Sequence, residues 1–238
     1  MARANAPAID LPLSFQVAQA PSQARTMSIE TIQQDVTGLV LAGGMGRRMQ
    51  GSDKGLVRLN GQEMVSYVID ALQANVAEVI VNANRNEQAY ASYGARVIAD
   101  SIEGYQGPLA GIEAGMSAAK TPWLFTCPCD SPLHSSELLP HMWDQMQAQL
   151  VDDASIRIGL ASDGVRTQPV FSLLHTSLLA NLRNYLQSGE RKIDRWFAQH
   201  RMTTIDCSGY ADSFVNVNTD EEKSRLEDRL KINGHTDS

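Results

Sequence analysis

The sequence predicts an α/β fold with a mainly parallel central sheet and helices on both faces. From Thr37 onward, short apolar runs alternate with segments whose apolar residues recur at helical spacing. Each apolar run is bounded by glycine or polar residues, which is typical of strands that are buried on both faces. Repeated strand–helix order implies parallel strands with helices covering the sheet. We therefore expect the sheet to form the centre of the domain.

The elements follow in order along the chain. Strands are expected at residues 38–41, 78–81, 95–98 and 123–126, with two later strands at 156–160 and 167–174 and an extended segment at 203–206. Helices are expected at residues 64–72, 108–119, 140–150, 177–186, 192–199 and 220–230. Ligands of such sheets bind beyond the C-terminal ends of the strands. Polar residues at those ends are therefore the first candidates for a functional site.

Length and composition restrict the class of protein. The chain has 238 residues, 43% hydrophobic and 20% charged, which suits one sizeable globular domain. A net charge of −7 argues against non-specific binding to nucleic acid or to an anionic membrane, because both are negative. No stretch approaches the roughly 18 apolar residues of a membrane span. Three cysteines do not form an even set of disulfides, which favours buried thiols in the cytoplasm.

The domain boundaries follow from a change in composition. Residues 1–33 are rich in Ala, Gln, Ser and Pro and lack the longer apolar centre of a signal peptide. We expect them to form a disordered or loosely docked extension, in which Met27 is an alternative translation start. Residues 34–232 are expected to form a single domain, and residues 233–238 a tail.

A glycine-rich loop after the first strand is the strongest signal for function. Gly43, Gly44 and Gly46 allow the backbone to curl with its N–H groups facing inward, where they can hold phosphate oxygens. Positive charge is concentrated over the next residues, at Arg47, Arg48, Lys54 and Arg58. The loop has neither the Gly-Lys-Ser/Thr ending of a P-loop nor the G-x-G-x-x-G spacing of a dinucleotide fold. It therefore predicts a nucleoside triphosphate site that belongs to neither of these two classes.

The run Leu41-Ala42-Gly43-Gly44-Met45-Gly46-Arg47-Arg48-Met49, followed by Asp53-Lys54, resembles the signature of the sugar-nucleotide-type nucleotidyltransferase superfamily. Further runs resemble the molybdenum cofactor guanylyltransferases within it: Val81-Asn82-Ala83-Asn84-Arg85, Gly107-Pro108-Leu109-Ala110-Gly111, Cys127-Pro128-Cys129-Asp130 and Phe214-Val215-Asn216-Val217-Asn218-Thr219. The resemblance extends from about Thr37 to Leu230 and implies a Rossmann-like nucleotidyltransferase fold.

That family transfers GMP from GTP to molybdopterin-bound molybdenum cofactor and releases pyrophosphate. The resemblance implies GTP and molybdopterin as substrates, Mg²⁺ as cofactor, and other molybdenum cofactor biosynthesis proteins and molybdoenzyme chaperones as partners. It assigns catalysis to Arg48, Lys54 and Asp130, with Asp130 also holding the metal. The GTP-binding residues that it implies are Leu41, Ala42, Gly43, Gly44, Gly46, Lys54, Asn82, Asp100 and Asp130.

Position gives independent support to three of these side chains. Asp130, Asp100 and Asn82 each follow a predicted strand at the edge where a ligand binds. A carboxylate at Asp130 suits Mg²⁺, which uses one or two carboxylates together with substrate phosphates and water. A helix-capping or turn aspartate is the alternative at Asp130. Asp100 can accept hydrogen bonds from ribose or guanine, or simply end its strand, and Asn82 can contact the base or form a turn.

The assignments toward the pterin are less specific. Gly107 and Pro108 open a helix whose N-terminus favours an anion, but they equally suit a packing turn. Arg191 lies in a segment that resembles the pterin end of the family, and a solvated helix start explains it almost as well. Asn218 is a second candidate contact to the metal or pyrophosphate side.

Two other functions stay open at this point. One is a related transferase with another base or acceptor, such as a molybdopterin cytidylyltransferase or a sugar-phosphate nucleotidyltransferase. The Gly43-Gly44 pair resembles the guanylyl enzymes, because cytidylyl relatives tend to carry Ala-Gly. The other is a non-catalytic carrier of GTP or pterin, which would have no need for Arg48, Lys54 and Asp130 together.

Overall fold

A computed structural model of the chain describes residues 22–42, 53–102 and 107–233, with side chains from residue 29 to residue 230. In these ranges seven strands form one sheet in the order β5-β4-β1-β6-β8-β7-β9. The strands are β1 (Val36–Leu41), β4 (Val79–Asn82), β5 (Arg96–Ile98), β6 (Trp123–Pro128), β7 (Ile158–Ser162), β8 (Thr167–His175) and β9 (Met202–Asp206). Two further strands, β2 (Arg58–Leu59) and β3 (Gln62–Glu63), form a separate hairpin.

The sheet is mainly parallel, as the sequence predicts. Strands β5, β4, β1 and β6 pair in parallel, and so do β7 and β9. Strand β8 is the exception, because it pairs antiparallel to both β6 and β7. The turn between β7 and β8 is four residues long and has Gly164 at a φ of 87°, so the chain reverses directly and no helix crosses over.

Helices cover both faces of the sheet. Their bounds are α1 (Ser22–Asp35), α2 (Met64–Gln73), α3 (Glu87–Ala91), α4 (Pro108–Ala118), α5 (Leu138–Asp152), α6 (Leu179–Gln187), α7 (Ile193–Phe197) and α8 (Asp220–Asn233). One apolar cluster joins Val40 to α1, α2 and α5, and another joins Leu39 to α4, α6 and α7. Successive residues of β1 thus point to opposite faces, which is why residues 38–41 are apolar without alternation.

Residues just before the expected N-terminal boundary pack against the domain. Residues 22–33, expected to be disordered or loosely docked, belong to α1, and Ile32 is fully buried in the core. Trp143 of α5 donates a hydrogen bond from Nε1 to Thr31 Oγ1 at 3.2 Å. The polar composition of this helix leaves little apolar periodicity to detect in the sequence.

Several smaller elements differ from the expectation. The β2–β3 hairpin turns at Asn60-Gly61, a pair that favours two-residue hairpins, so the signal was present in the sequence. Helix α3 has only five residues, and a 3₁₀ helix of three residues begins at Lys54. None of the helices that the described ranges contain has the length and apolarity of a membrane span.

Candidate functional site

The C-terminal ends of four neighbouring strands meet at one edge of the sheet. Leu41 at the end of β1 is level with Asn82 of β4 on one side and with Pro128 of β6 on the other. Asn82 is in turn level with Ile98 of β5. The peptide groups just beyond the strands continue this pairing, since Ala42 N donates to Asn82 O at 2.9 Å and Cys129 N donates to Leu41 O at 3.1 Å. The residues that follow each strand are therefore gathered in one place.

Lys54, Asp130 and Asn218 form a polar cluster at this edge. Lys54 Nζ donates to Asp130 Oδ2 at 3.1 Å and to Asn218 Oδ1 at 2.5 Å. The Lys54 side chain is 25% exposed and that of Asp130 is 12% exposed, so the ion pair is partly shielded from water. Val217 N donates to Asp130 O at 2.9 Å, which brings the late segment of the chain against the end of β6. The cluster offers an ammonium and oxygen ligands at one point.

The start of α8 fixes Asn218. Thr219 precedes the helix and accepts from Glu222 N through Oγ1 at 3.1 Å, while Glu222 Oε2 accepts from Asn218 N at 2.6 Å and from Thr219 N at 3.1 Å. This reciprocal arrangement is a capping box, and its Thr-x-x-Glu pattern is a signal that the sequence itself contains. Because Asn218 N donates to Glu222, the N-terminal end of α8 holds the backbone of Asn218.

A second polar cluster lies around Asp100. Asn82, which is 2% exposed, donates from Nδ2 to Asp100 Oδ1 at 2.9 Å. Asn84 donates from Nδ2 to Asp100 Oδ2 at 2.8 Å and accepts from Asp100 N through Oδ1 at 2.8 Å. Asp100 and Asn82 are thus brought together, as their positions after adjacent strands predict. Asn84, which belongs to the same motif as Asn82 but is not among the expected site residues, completes the cluster.

A third cluster surrounds Asp53. Tyr90 donates from its hydroxyl to Asp53 Oδ1 at 2.5 Å, Asn86 donates from Nδ2 to Oδ2 at 2.9 Å, and Arg85 Nε lies 3.5 Å from Oδ2. Burial raises the pKa of Tyr90 well above its usual range, so its hydroxyl stays a donor. Of these residues, only Asp53 and Arg85 stand in the motifs, and none was predicted as a site residue. Asn86 and Tyr90 carry no signal in the sequence.

Four predicted residues, Gly43, Gly44, Gly46 and Arg48, lie outside the described residues. Leu41 and Ala42 are at the end of β1, as expected. Gly107 has a φ of 79° and a ψ of −171°, backbone angles that residues with a Cβ rarely adopt. Pro108 occupies the first turn of α4. Arg191 donates from one guanidinium nitrogen to the carbonyls of Leu186 and Glu190, each at 2.6 Å, and so holds the C-terminal end of α6. The roles of all these residues toward a ligand stay predictions.

The residues present fit a magnesium ion bound mainly by a substrate. Within the part of the chain that the structure describes, no group of three or more His, Cys, Asp and Glu side chains forms a metal site made by protein alone. Mg²⁺ typically needs one or two carboxylates and takes phosphate and water for the remaining ligands. Asp130, with the amide oxygen of Asn218 nearby, matches that requirement. The three cysteines are free and buried, and burial raises the pKa of Cys207 to about 12, so a thiolate ligand is disfavoured.

Comparison with known proteins identifies the family. Residues 38–204 match the model of the MobA-like NTP transferase domain. A molybdenum cofactor guanylyltransferase from Shewanella piezotolerans is 44% identical over 195 residues, which cover 82% of this chain and 93% of the relative. One from Shewanella sediminis is 42% identical over 195 residues, covering 82% of this chain and 97% of its own length.

Solved structures agree on the fold. A molybdopterin-guanine dinucleotide biosynthesis protein A from Archaeoglobus fulgidus has a TM-score of 0.68 at 22% identity, covering 82% of this chain and 99% of its own. A nucleotidyl transferase from Methanothermobacter has a TM-score of 0.65 at 21% identity, covering 84% and 99%. The predicted α/β nucleotidyltransferase fold is therefore confirmed. Together with the family model and the curated relatives, this shows that the chain belongs to the molybdenum cofactor guanylyltransferases, which carry the MobA-like NTP transferase domain, and that it is a nucleotidyltransferase.

Proposed function

We propose that this enzyme transfers GMP from GTP to the terminal phosphate of molybdopterin-bound molybdenum cofactor. A phosphate oxygen of the pterin forms a bond to the α-phosphorus of GTP, the bond between that phosphorus and the bridging oxygen to the β-phosphate breaks, and pyrophosphate leaves. The arrangement of Lys54, Asp130 and Asn218 at one strand edge carries this proposal. The names of the curated relatives support the choice of substrates, and the cytoplasmic location expected from the sequence is part of the proposal.

A phosphate nucleophile is already deprotonated, so the reaction needs no general base. The enzyme has to hold two polyanions in line and neutralise the charge that develops between them. Lys54 is suited to the phosphates, because its ammonium belongs to a cluster that is partly shielded from water, where a charge acts more strongly. Asp130, with Asn218 beside it, would hold Mg²⁺, which when bound supplies further neutralisation of phosphate charge.

The cluster around Asp100 is suited to the nucleoside. Guanine presents two N–H donors on its Watson–Crick edge, and a carboxylate is an acceptor that can satisfy both. Asp100 is partly exposed and is held in place by Asn82 and Asn84. This arrangement favours a base that has N–H donors at its Watson–Crick edge. The ring nitrogen of cytosine at that edge carries no hydrogen and is not a donor. We therefore assign the Asp100 side of the site to guanine.

The test is pyrophosphate release from GTP, Mg²⁺ and molybdopterin. Lys54→Ala should lower kcat roughly a hundredfold or more, because charge stabilisation by one preorganised group is worth about that much. Lys120→Ala is the matched control, since Lys120 is exposed and precedes β6 at the opposite end of the sheet, and it should leave kcat unchanged. Thermal unfolding of both variants should resemble that of the unmodified enzyme. Full activity of Lys54→Ala would refute the role of Lys54.

The same assay distinguishes the competing functions. GTP should be turned over at least tenfold better than CTP or ATP in kcat/KM. Preference for CTP would indicate a cytidylyltransferase, and turnover only with a sugar phosphate in place of molybdopterin would indicate another acceptor. Binding of GTP without pyrophosphate release would indicate a carrier.

A further inference from the structure

Asp53 is a buried carboxylate that the proposed reaction does not use directly. Its side chain is 5% exposed and it directly precedes Lys54 in the chain. Tyr90 contacts its Oδ1, and Asn86 and Arg85 contact its Oδ2, as described above. Burying a carboxylate costs desolvation free energy, which its partners offset. Removing one partner would leave part of the buried charge unpaired, so the partners hold the carboxylate firmly in place. The position of the backbone at Asp53 is therefore defined by the segment that follows β4.

The next residues are held equally closely. A Cβ placed on Gly55 would lie 2.6 Å from the hydroxyl oxygen of Tyr90 and 3.3 Å from Cβ of Cys129. The backbone on the far side of Lys54 thus packs against the same tyrosine and against the neighbour of Asp130. Lysine has a flexible four-carbon side chain, which loses rotamer entropy when it is fixed. A rigid backbone on both sides reduces the space that its ammonium can search.

Asn86 adopts a left-handed backbone conformation in making its contact. Its φ is 55° and its ψ is 31°, which is uncommon for residues other than glycine, although asparagine tolerates it best. Its amide reaches Asp53 from this conformation. The same turn carries Asn84, which binds Asp100. One short turn therefore contacts both the carboxylate assigned to the nucleoside and the carboxylate next to Lys54.

We propose that Asp53 is a positioning residue: held by Tyr90, Asn86 and Arg85, it fixes the backbone of Lys54 so that the ammonium meets the triphosphate at Asp130 and Asn218. The inference rests on the proposed function for its meaning in catalysis. Its structural content, the restraint on Lys54, does not depend on which nucleotide is used.

Asn86→Gly is the most direct variant. Glycine adopts the same backbone angles without strain, so the fold should be kept while the bond to Asp53 is lost. We expect kcat to fall about tenfold, with KM for GTP within about twofold, because a displaced ammonium affects the transition state more than initial binding. Asn60→Gly is the matched control: Asn60 has φ 49° in the β2–β3 turn, and this change should leave kcat unaltered. Tyr90→Phe, which removes the shortest bond, is a second variant and should act in the same direction.

Two readouts separate positioning from a general loss of structure. In the Lys54→Ala background, Asn86→Gly should cause no further loss of kcat, because both changes act through the same ammonium. Losses that multiply would overturn the proposal. The second readout is acetylation of Lys54 by acetic anhydride, followed by mass spectrometry in the absence of nucleotide. Asn86→Gly and Tyr90→Phe should raise its rate severalfold, and Asn60→Gly should not.

The second readout also keeps this inference distinct from the proposed function. If the unmodified enzyme released no pyrophosphate from GTP and molybdopterin, the proposed function would fail, and Lys54 acetylation would still decide the inference. If Lys54→Ala were inactive while Asn86→Gly and Tyr90→Phe had normal kcat and unchanged acetylation, the proposed function would stand and the inference would be wrong.

Discussion

At the scale of single residues, His134 is a polar side chain that is buried among apolar ones. It is 7% exposed and lies between the rings of Phe125 and Phe171, with centroid distances of 5.9 Å to each. Neither ring nitrogen has a hydrogen-bond partner in the part of the chain described. Burial without a partner disfavours the charged form, and it lowers the pKa of His134 to about 4.

This histidine should make stability depend on pH. The unfolded chain takes up the proton near pH 6.5 and the folded chain near pH 4, so between these values the unfolded state binds more protons. Above about pH 6.5, His134 is unprotonated in both states and does not make stability depend on pH. Below that pH, the free energy of unfolding falls by up to about 1.4 kcal/mol per pH unit as pH drops toward 4. Urea unfolding of the unmodified chain and of His134→Phe at pH 7, 5.5 and 4.5 measures this. The variant should lose less stability, and equal slopes would contradict the prediction.

At the scale of elements, α4 packs unusually close to the strand ends that carry the site. A Cβ on Gly111 would clash with Asn82 Oδ1 and would lie 2.7 Å from Leu41 Cδ2. Asn82 is buried and bonded to Asp100, so it has little freedom to move. One turn later, a Cβ on Gly115 would lie 2.5 Å from Leu39 Cδ2, a contact with aliphatic core only. The two glycines therefore face different neighbours on the same helix.

The pair offers a matched test. Gly111→Ala should push Asn82 away from Asp100, raising KM for GTP severalfold and lowering the free energy of unfolding by about 1–3 kcal/mol. Gly115→Ala should cost a similar amount of stability with KM unchanged, since its clash is with Leu39. GTP titration and urea unfolding of both variants provide the measurements. If KM rose equally in both, a general loosening of α4 would explain the effect instead.

At the scale of the whole molecule, the C-terminal part of α1 packs into the core of the domain. Ile32 is fully buried, and Thr31 accepts the bond from Trp143, which is 1% exposed. These contacts come from a region whose composition predicted an extension outside the domain. The folded unit therefore begins before residue 34.

Shortened chains test this boundary. A chain beginning at Met27 keeps Thr31 and Ile32 and should unfold within about 0.5 kcal/mol of the longer chain. A chain beginning at Gln34 loses both, and its free energy of unfolding should fall by about 2–5 kcal/mol, the range for removing a buried aliphatic side chain. Denaturant unfolding of the two chains provides the comparison. Equal stability would mean that α1 contributes nothing to the core.

Much of the fold was predictable because it depends on local pattern. Strands such as β4 and β6 and helices such as α2 were placed to within about two residues, since apolar periodicity reports which face an element buries. Helix α1 and the short α3 were missed, because a helix of polar composition and a helix of five residues show little such periodicity. The antiparallel direction of β8 was readable in the spacing, because the six residues between the expected strands at 156–160 and 167–174 are too few for a helical crossover.

By itself, the sequence determined the order of elements, the family and the chemical types available at the strand ends. Only the tertiary structure decided which of them touch. Lys54 meets Asn218 across 164 positions, and Asp53 meets Tyr90 across 37. Such contacts depend on strand register and on how loops pack, which no local pattern records. Motif positions therefore sufficed to propose Lys54 and Asp130, whereas the residues that hold Lys54 in place became apparent only in three dimensions.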